Sequence, residues 1–395
     1  MFKRFGLLCL MLVATSIYAQ DKTANKYGKG LLNFVAKDSS YSVKFNIRMQ
    51  QLFVAQTTLS GELNQGDVTT NFFTRRSRLK FGGFAFNPKI TYKIEIGLSN
   101  RDFGGANAST NNADKMILDA VVKWNFYKNF SLWLGQTKLP GNIERVISSQ
   151  QLQFVDRSQL NSRFNIDRDQ GIQLRHHFTI GNTLIREIAS VSQGEGRNIV
   201  NGNRNGFDYT GRLELLPFGA FTKKGDYSAS DLQREATPKL LIAATYDFND
   251  GAQNQRGQLG REMLTPAKLH TIFADLAFKY NGISVMAEYA NKKAEDTPLV
   301  YDANNNIDDA FYTGSAINAQ LGYLFKNNVE LAGRITSVNP EDITERTDYN
   351  QYTLGVSKYV SGHNLKIQSD VTLTSENGLG TDDDFMFRLQ VELAL

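Results

Sequence analysis

Apolar residues recur at every second position through most of this chain. Val43, Phe45, Ile47 and Met49 alternate with Lys44, Asn46, Arg48 and Gln50; Ile90, Tyr92, Ile94, Ile96 and Leu98 alternate with Thr91, Lys93, Glu95 and Gly97. The same pattern runs through Leu118–Phe126, Ile272–Tyr280, Val329–Ile335 and Leu365–Leu373. A period of two sends successive side chains to opposite faces, so each stretch predicts a β-strand with one greasy face and one wet face. The chain closes on "FMFRLQVELAL", with Phe385, Phe387, Leu389, Val391, Leu393 and Leu395 on one face and Arg388, Gln390 and Glu392 on the other. Less regular strands are predicted to begin near Arg78, Phe130, Gly171, Thr183, Tyr209, Leu240, Ile283, Phe311 and Tyr352, which makes sixteen in all.

The connections alternate as well. Short turns rich in Asn, Gly and Lys follow even-numbered strands, as at 87–89, 127–129, 179–182, 281–282, 326–328 and 361–364. Long polar segments follow odd-numbered strands, at 57–71, 99–114, 139–168, 192–206, 249–268, 291–310, 338–349 and 374–384. One short-side connection, 216–238, breaks the rule by its length. The pattern predicts an all-β fold: a transmembrane antiparallel β-barrel of about 16 strands, with short periplasmic turns and long extracellular loops. The greasy faces then meet outer-membrane lipid, the wet faces line a lumen, and the last strand pairs with the first, because an open edge has no place in a membrane. Aromatic residues crowd the short turns (Trp124, Phe126, Tyr127, Phe130 and Trp133; Phe278 with Tyr280; Tyr323 with Phe325), as expected of an interfacial girdle.

Composition narrows the picture. The chain has 395 residues, 41% hydrophobic and 21% charged, a length that fits one large barrel. Lys3 and Arg4 followed by "GLLCLMLVA" and Ala19 read as a secretory signal peptide over 1–19, which leaves a short periplasmic N-terminal segment at 20–40 and the barrel at 41–395. No later apolar run approaches the roughly 20 residues of a transmembrane helix. The single cysteine, Cys9, falls inside the expected leader, so neither disulfides nor thiolate chemistry are expected in the barrel. A net charge of only +4, part of it in the leader, argues against a nucleic-acid partner.

Little in the sequence resembles a catalytic or cofactor site. His176 and His177 are adjacent on a strand and face opposite ways, His363 lies in a turn, and no phosphate loop, dinucleotide fingerprint or nucleophile elbow occurs. Neither an enzyme, a cofactor nor a metal site is expected. The informative charges are those that the alternation points inward, since a Lys or Arg on the lipid face costs about 2–4 kcal/mol at the midplane. In the first four strands these are the basic residues Lys44, Arg48, Arg76, Arg78, Lys80, Lys93 and Lys123, seven against the two acids Glu95 and Asp119. In the last four strands Arg334, Lys366 and Arg388 balance Glu330, Asp370 and Glu392. One wall therefore reads as basic. It serves either to attract anions or simply to keep strands soluble before insertion. The long segment 139–168 needs something to pack on. It reads as a loop folded into the barrel and narrowing it, with Arg145, Arg157, Arg163 and Arg168 as its candidate cations; the alternative is a flap on the surface.

"TRRSRLKFGGFAFNPKITYKIEIGLSN", "LWLGQTKLPGNIERVISSQQLQFVDRS" and "FNIDRDQGIQLR" together resemble the phosphate-selective porin O and P family, in particular its Bacteroidetes branch. The resemblance implies a sixteen-stranded barrel in the outer membrane of a Gram-negative bacterium, usually a homotrimer. It also implies an anion-selective channel lined by arginine and lysine, with phosphate or polyphosphate as solutes. The function expected is passive diffusion of small anions. The competing expectation is a barrel with a mainly structural or partner-binding role. The loop asymmetry itself makes a topological prediction. An epitope inserted in 291–310 should bind antibody on intact cells and one at 281–282 should not; surface labelling of the latter would invert the orientation.

Overall fold

The structure, a computed structural model, describes residues 30–59, 68–104, 110–200, 206–376 and 383–395. The expected signal peptide and parts of four long loops lie outside the described residues. Sixteen strands form one closed antiparallel sheet: β1 (Ser42–Leu59), β2 (Thr69–Ala85), β3 (Asn87–Gly97), β4 (Ile117–Tyr127), β5 (Phe130–Lys138), β6 (Arg168–Ile180), β7 (Thr183–Ser192) and β8 (Asp208–Leu216) make the first half. β9 (Lys239–Asn254), β10 (Glu262–Tyr280), β11 (Ile283–Ala294), β12 (Gly314–Leu324), β13 (Val329–Pro340), β14 (Tyr349–Ser361), β15 (Leu365–Glu376) and β16 (Asp383–Ala394) make the second. Each strand pairs with its sequence neighbours, and β16 closes the ring on β1, from Asp383 opposite Leu59 to Ala394 opposite Arg48. The terminal alternation thus completes the ladder, and every strand edge over that span finds a partner.

Several strands run past the expected boundaries. β2 starts at Thr69 rather than near Arg78, and β9 and β10 continue to Asn254 and back from Glu262, so the expected 249–268 loop shrinks to a tight hairpin. β10 has 19 residues, where about 9–11 suffice to cross a bilayer. The surplus stands in water, where both faces can be polar, and such a segment carries no hydrophobic alternation to read. Elsewhere 291–310 contains a hairpin of its own, Leu299–Tyr301 against Ile307–Ala310, before β12 begins. In the N-terminal segment, Leu32–Val35 pairs with the start of β1, so this part of 20–40 extends the barrel wall.

Outward positions carry the apolar belt: Ile317, Leu321, Leu331, Ile335, Leu354 and Leu389 are all exposed. Aromatic pairs mark the short-turn end, Trp124 against Phe126 at 5.5 Å and Tyr323 against Phe325 at 4.9 Å between ring centroids. Asn281 (φ 48°) and Gly282 (φ 89°) form the two-residue turn between β10 and β11, in the left-handed region that such hairpins require. Leu354 lies mid-strand in β14 and is 68% exposed. Leu354→Arg should therefore destabilise the barrel by about 2–4 kcal/mol in equilibrium refolding into bilayers. An unchanged folding free energy would mean that this face does not meet lipid.

Candidate functional site

Loop 139–167 is folded inside the barrel. Its apolar residues Leu139, Ile143, Ile147, Leu152, Phe154, Val155, Leu160, Phe164 and Ile166 are each no more than 2% exposed. Burying side chains of this size stabilises by about 1.5–3 kcal/mol apiece, which a surface flap would forgo. Two apolar clusters hold the loop to one side. Ile143, Ile147 and Leu152 pack with Leu241, Ala243, Ala277 and Met286, and Leu160 and Phe164 pack with Phe273, Ala290, Ala316 and Val338. The wall beneath is shaped to receive it. Ser284, Gly322, Ala332 and Gly355 lie in one cross-strand row. A Cβ on Gly322 would meet the Gln153 amide at 1.9 Å, and one on Gly355 would meet the Phe154 ring at 3.0 Å.

Polar groups fix the loop's shape. The turn Ile143–Val146 and the helix Gln159–Phe164 are short, and side chains complete them: Ser158 caps the helix by accepting from the Asn161 amide, and Glu144 accepts from the Ser158 amide and hydroxyl. Lys138, at the end of β5, donates to the carbonyls of Arg145, Val146 and Ile147 at 2.7, 3.1 and 3.0 Å. Gln153 bonds Ser284 and Glu330, and the Val155 amide donates to Asp370. Asp156 gathers Arg75, Arg76 and Arg388 at 2.8, 3.1 and 3.5 Å. Burial pushes the Asp156 carboxyl up, but these guanidiniums outweigh it and hold it well below the usual range, so it stays charged.

The loop thus covers the wall from β9 to β15 and leaves the wall from β2 to β7 open. Along that wall lie two cavities. The one towards the long loops has a volume of about 400 Å³ and is lined by ten arginines and three aspartates. The one towards the short turns, about 800 Å³, is lined by twelve lysines and arginines and three carboxylates. Arg78, Arg145, Arg157 and Arg168 line both and form the neck between them. Arg78 pairs with Glu95 at 2.8 Å, Arg168 with Asp119 at 3.2 Å, and Arg145 with Asp167. Arg157 instead donates to the carbonyls of Glu144 and Ile147, and among the described residues it has no ion pair. Burial, against the pull of Glu144 and together with Arg168 and Arg78, brings Arg157 down to about 10; it remains protonated at neutral pH. Nε of Arg78, Arg145 and Arg168 is buried and has no hydrogen-bond partner among the described residues. The neck therefore presents four guanidinium charges to both cavities.

The expected site residues divide by position. Arg76 lines the cavity towards the long loops; Lys80, Lys93 and Lys123 line the other; Arg78, Arg145, Arg157 and Arg168 form the neck. Three lie elsewhere. Arg48 is buried, pairs with Glu392 at 2.9 Å and bonds Ser149, so it anchors the loop. Arg163 bonds the Tyr349 hydroxyl and lies over Tyr312, beside a separate cavity. Lys44 is exposed at the short-turn end. Among the residues the alternation missed is Arg75. A bulge in β2 sets Gln50 opposite Arg76 but Gln51 opposite Thr74, so Arg75 is the extra residue, and both arginines reach Asp156. Arg101, Arg197 and Arg256 come from long-loop segments, and Arg175 and Arg186 from β6 and β7. Inward spacing alone identifies the last two. His176 stacks on Phe130 at 4.0 Å, while its neighbour His177 lines the larger cavity. Among the described residues no group of three or more His, Cys, Asp or Glu is placed to hold a metal.

A closed sixteen-stranded barrel with a long loop packed inside and a charged passage beside it is the architecture of a porin. Residues 43–386 match the phosphate-selective porin O and P family, and the chain belongs to it. Solved structures share the fold at low identity. The anion-selective porin of Comamonas acidovorans is similar over 90% of this chain and 100% of its own, at 10% identity and a TM-score of 0.55. The outer membrane channel DcaP of Acinetobacter baumannii is similar over 92% and 100%, at 12% identity and a TM-score of 0.54. OmpT of Vibrio cholerae, in a trimer form, is similar over 89% and 99%, at 11% and 0.52. An uncharacterized protein of Aquifex aeolicus (strain VF5) is 20% identical, covering 91% of each chain. Family and fold point to a channel rather than an enzyme, and to a bacterial outer membrane.

Because the loop bounds the neck on one side, removing it should open the passage. Deleting Ser148 to Leu160 should raise single-channel conductance while leaving a heat-resistant barrel. Unchanged conductance in the folded variant would show that the ions pass elsewhere.

Proposed function

We propose that this protein is an outer-membrane porin through which small anions diffuse passively along the basic wall, with phosphate the first oxyanion to test. The observation that carries this reading is the neck. Four arginines from β2, β6 and the inward loop, Arg78, Arg145, Arg157 and Arg168, line both cavities. A guanidinium presents a planar fork that matches two oxyanion oxygens, and it stays charged at any physiological pH. Arg76, Arg78 and Lys80 follow one another along β2 about 7 Å apart, inside the Debye length of about 8 Å at physiological salt. Their potentials overlap, so a solute meets a continuous field. In this reading the short turns face the periplasm, and three copies assemble as in the trimer form of Vibrio cholerae OmpT. The anion selectivity named for the Comamonas acidovorans porin supports the same direction of charge preference.

Reversal potentials in a potassium chloride gradient test this. The wild-type channel should prefer chloride at low salt, and the preference should fade as salt rises. Arg78→Glu with Lys80→Glu should move the reversal potential towards cation selectivity. Lys366→Gln should leave it in place, because Lys366 is buried under the loop against Glu392. A channel that prefers potassium, or a double reversal without effect, refutes anion selectivity. Absence of conductance would favour the structural, partner-binding role.

A further inference from the structure

At the long-loop end, the tip of the β9–β10 hairpin, residues 255–261, turns in over the mouth of the passage. Arg256 and Leu259 of the tip line the cavity towards the long loops, and Gln258 is buried. Four bonds hold the tip down. Arg256 donates to the Ser162 carbonyl of the inward loop at 2.7 Å, and Gln258 Nε2 to Asp208 Oδ2 at 2.6 Å. Lys292 of β11 donates to the Arg256 carbonyl at 2.9 Å, and the Tyr312 amide to the Gln255 carbonyl at 2.8 Å. Beside Gln258 runs the segment that leaves β7. A Cβ on Gly196 (φ 94°) would meet the Gln258 carbonyl at 2.5 Å, so glycine is what lets the two backbones come this close.

The Gln258 anchor is one half of a carboxyl pair. Asp208, the first residue of β8, is 0% exposed, and Asp247 of β9 is 2% exposed. Their carboxyls hydrogen-bond each other, Asp247 also accepts from the Thr210 hydroxyl at 2.8 Å, and neither acid has an ion pair among the described residues. Two carboxylates in contact cannot both stay charged in a buried site, so a proton lies between them. Four other charged or titratable groups face the pair. Lys292 comes from β11 and Arg256 from the tip; Asp169 of β6 accepts from the Gly194 amide, and burial pushes the Glu195 carboxyl beside it up to about 7. Ser192 of β7 and Thr271 of β10 add only hydroxyls. On the outward face of the same strands Tyr209 stacks on Phe248 at 6.3 Å and Phe248 on His270 at 4.7 Å. Such an aromatic group marks the outer interface, which puts the pair at the edge of the bilayer and not in its middle.

We propose that the Asp208–Asp247 pair is a proton-dependent latch for residues 255–261, which holds the tip across the outer mouth while the shared proton is present and releases it when the proton is lost. The proposal rests on the porin reading and adds regulation to it. With its proton the pair carries one negative charge, which Lys292 offsets. Without it, two like charges touch in a buried site, and only water can relieve them. Gln258 covers one of the two carboxyls, so water enters by displacing the tip. The closed mouth therefore binds one proton more than the open mouth, and rising pH favours opening. The open-to-closed ratio gains up to about tenfold per pH unit above the ordinary carboxyl range. The arginine neck below keeps its width, and only the mouth above it changes.

Single-channel conductance tests it, in high salt so that charges along the passage are screened. Wild-type conductance should rise from about pH 5 to about pH 9. Asp247→Asn puts a permanent donor where the proton was and keeps the acceptor for Thr210, so its conductance should stay at the wild-type acid value throughout. Gln258→Ala frees the tip from Asp208 and should give the high value at every pH. Glu195→Gln should keep the wild-type dependence, because Glu195 lies outside the pair. A second readout needs no conduction. The only cysteine of the sequence is Cys9, in the expected leader, so a nitroxide can be placed on Leu259→Cys. Its mobility should rise over the same pH range, and should not in the Asp247→Asn background. Conductance and mobility indifferent to pH overturn the latch, as does a pH response that survives Asp247→Asn or a Gln258→Ala channel that follows the wild type. A protein that never conducts overturns the porin reading, while the nitroxide still decides the latch.

Discussion

Inside a bilayer no water is at hand to solvate a backbone amide or a charged side chain. That absence closes the ladder between β16 and β1, and it also sends the strand charges at mid-membrane depth to the inside. A barrel of sixteen strands then holds far more ionisable groups than a lumen can leave unpaired, and the molecule has to sort them. It does so with the loop. On the wall from β9 to β16, Lys366 and Arg388 meet Glu392 and Asp370, and Arg334 meets Glu144 of the loop. These pairs are desolvated and matched, where an unmatched buried ion costs several kcal/mol. The opposite wall keeps its excess of cations beside the open passage.

The sorting also explains why the loop is rigid. A loop that only blocked space would need apolar contacts alone, and those slide. Here Gln153 bonds groups on β11 and β13, Asp156 pairs with arginines of β2 and β16, Lys138 of β5 holds three successive loop carbonyls, and Glu144 holds the Ser158 amide and hydroxyl within the loop. Shifting the loop by one residue would leave several of these groups buried and unpaired at once. Each unpaired group costs about 1–3 kcal/mol, more when charged. The passage therefore keeps a fixed cross-section, as a filter must.

Much of the fold was legible because a strand's two faces are written in strict alternation, and lipid on one side makes the rule unforgiving. The basic wall followed from the same rule, since Arg76, Arg78, Lys80, Lys93 and Lys123 needed only a count of odd and even positions. What the rule could not show has identifiable physical causes. Arg75 reaches Asp156 only because a bulge inserts one residue into β2. The pairing of Arg48 with Glu392 joins the first strand to the last, and sequence separation hides it. The 217–238 segment stood out only by its length, for its inward course is set by Lys279 and Asp231 contacts that have no local signature. Strand ends were missed wherever the β-structure leaves the bilayer and both faces become polar.

Under the proposed passage of anions, the carboxylates in the neck acquire a reason. An oxyanion about 4 Å from one guanidinium gains roughly 4 kcal/mol at an effective dielectric constant of 20. Four such contacts acting in full would exceed the roughly 8 kcal/mol that corresponds to a micromolar site, and the solute would stay. A conducting site has to bind well enough to be entered and weakly enough to be left. Glu95, Asp119 and Asp167 each take up part of one arginine's charge while holding its fork in place. Arginine orientation is kept and the well is made shallow. The acids that dilute the basic wall are, on this view, what turns a binding site into a passage.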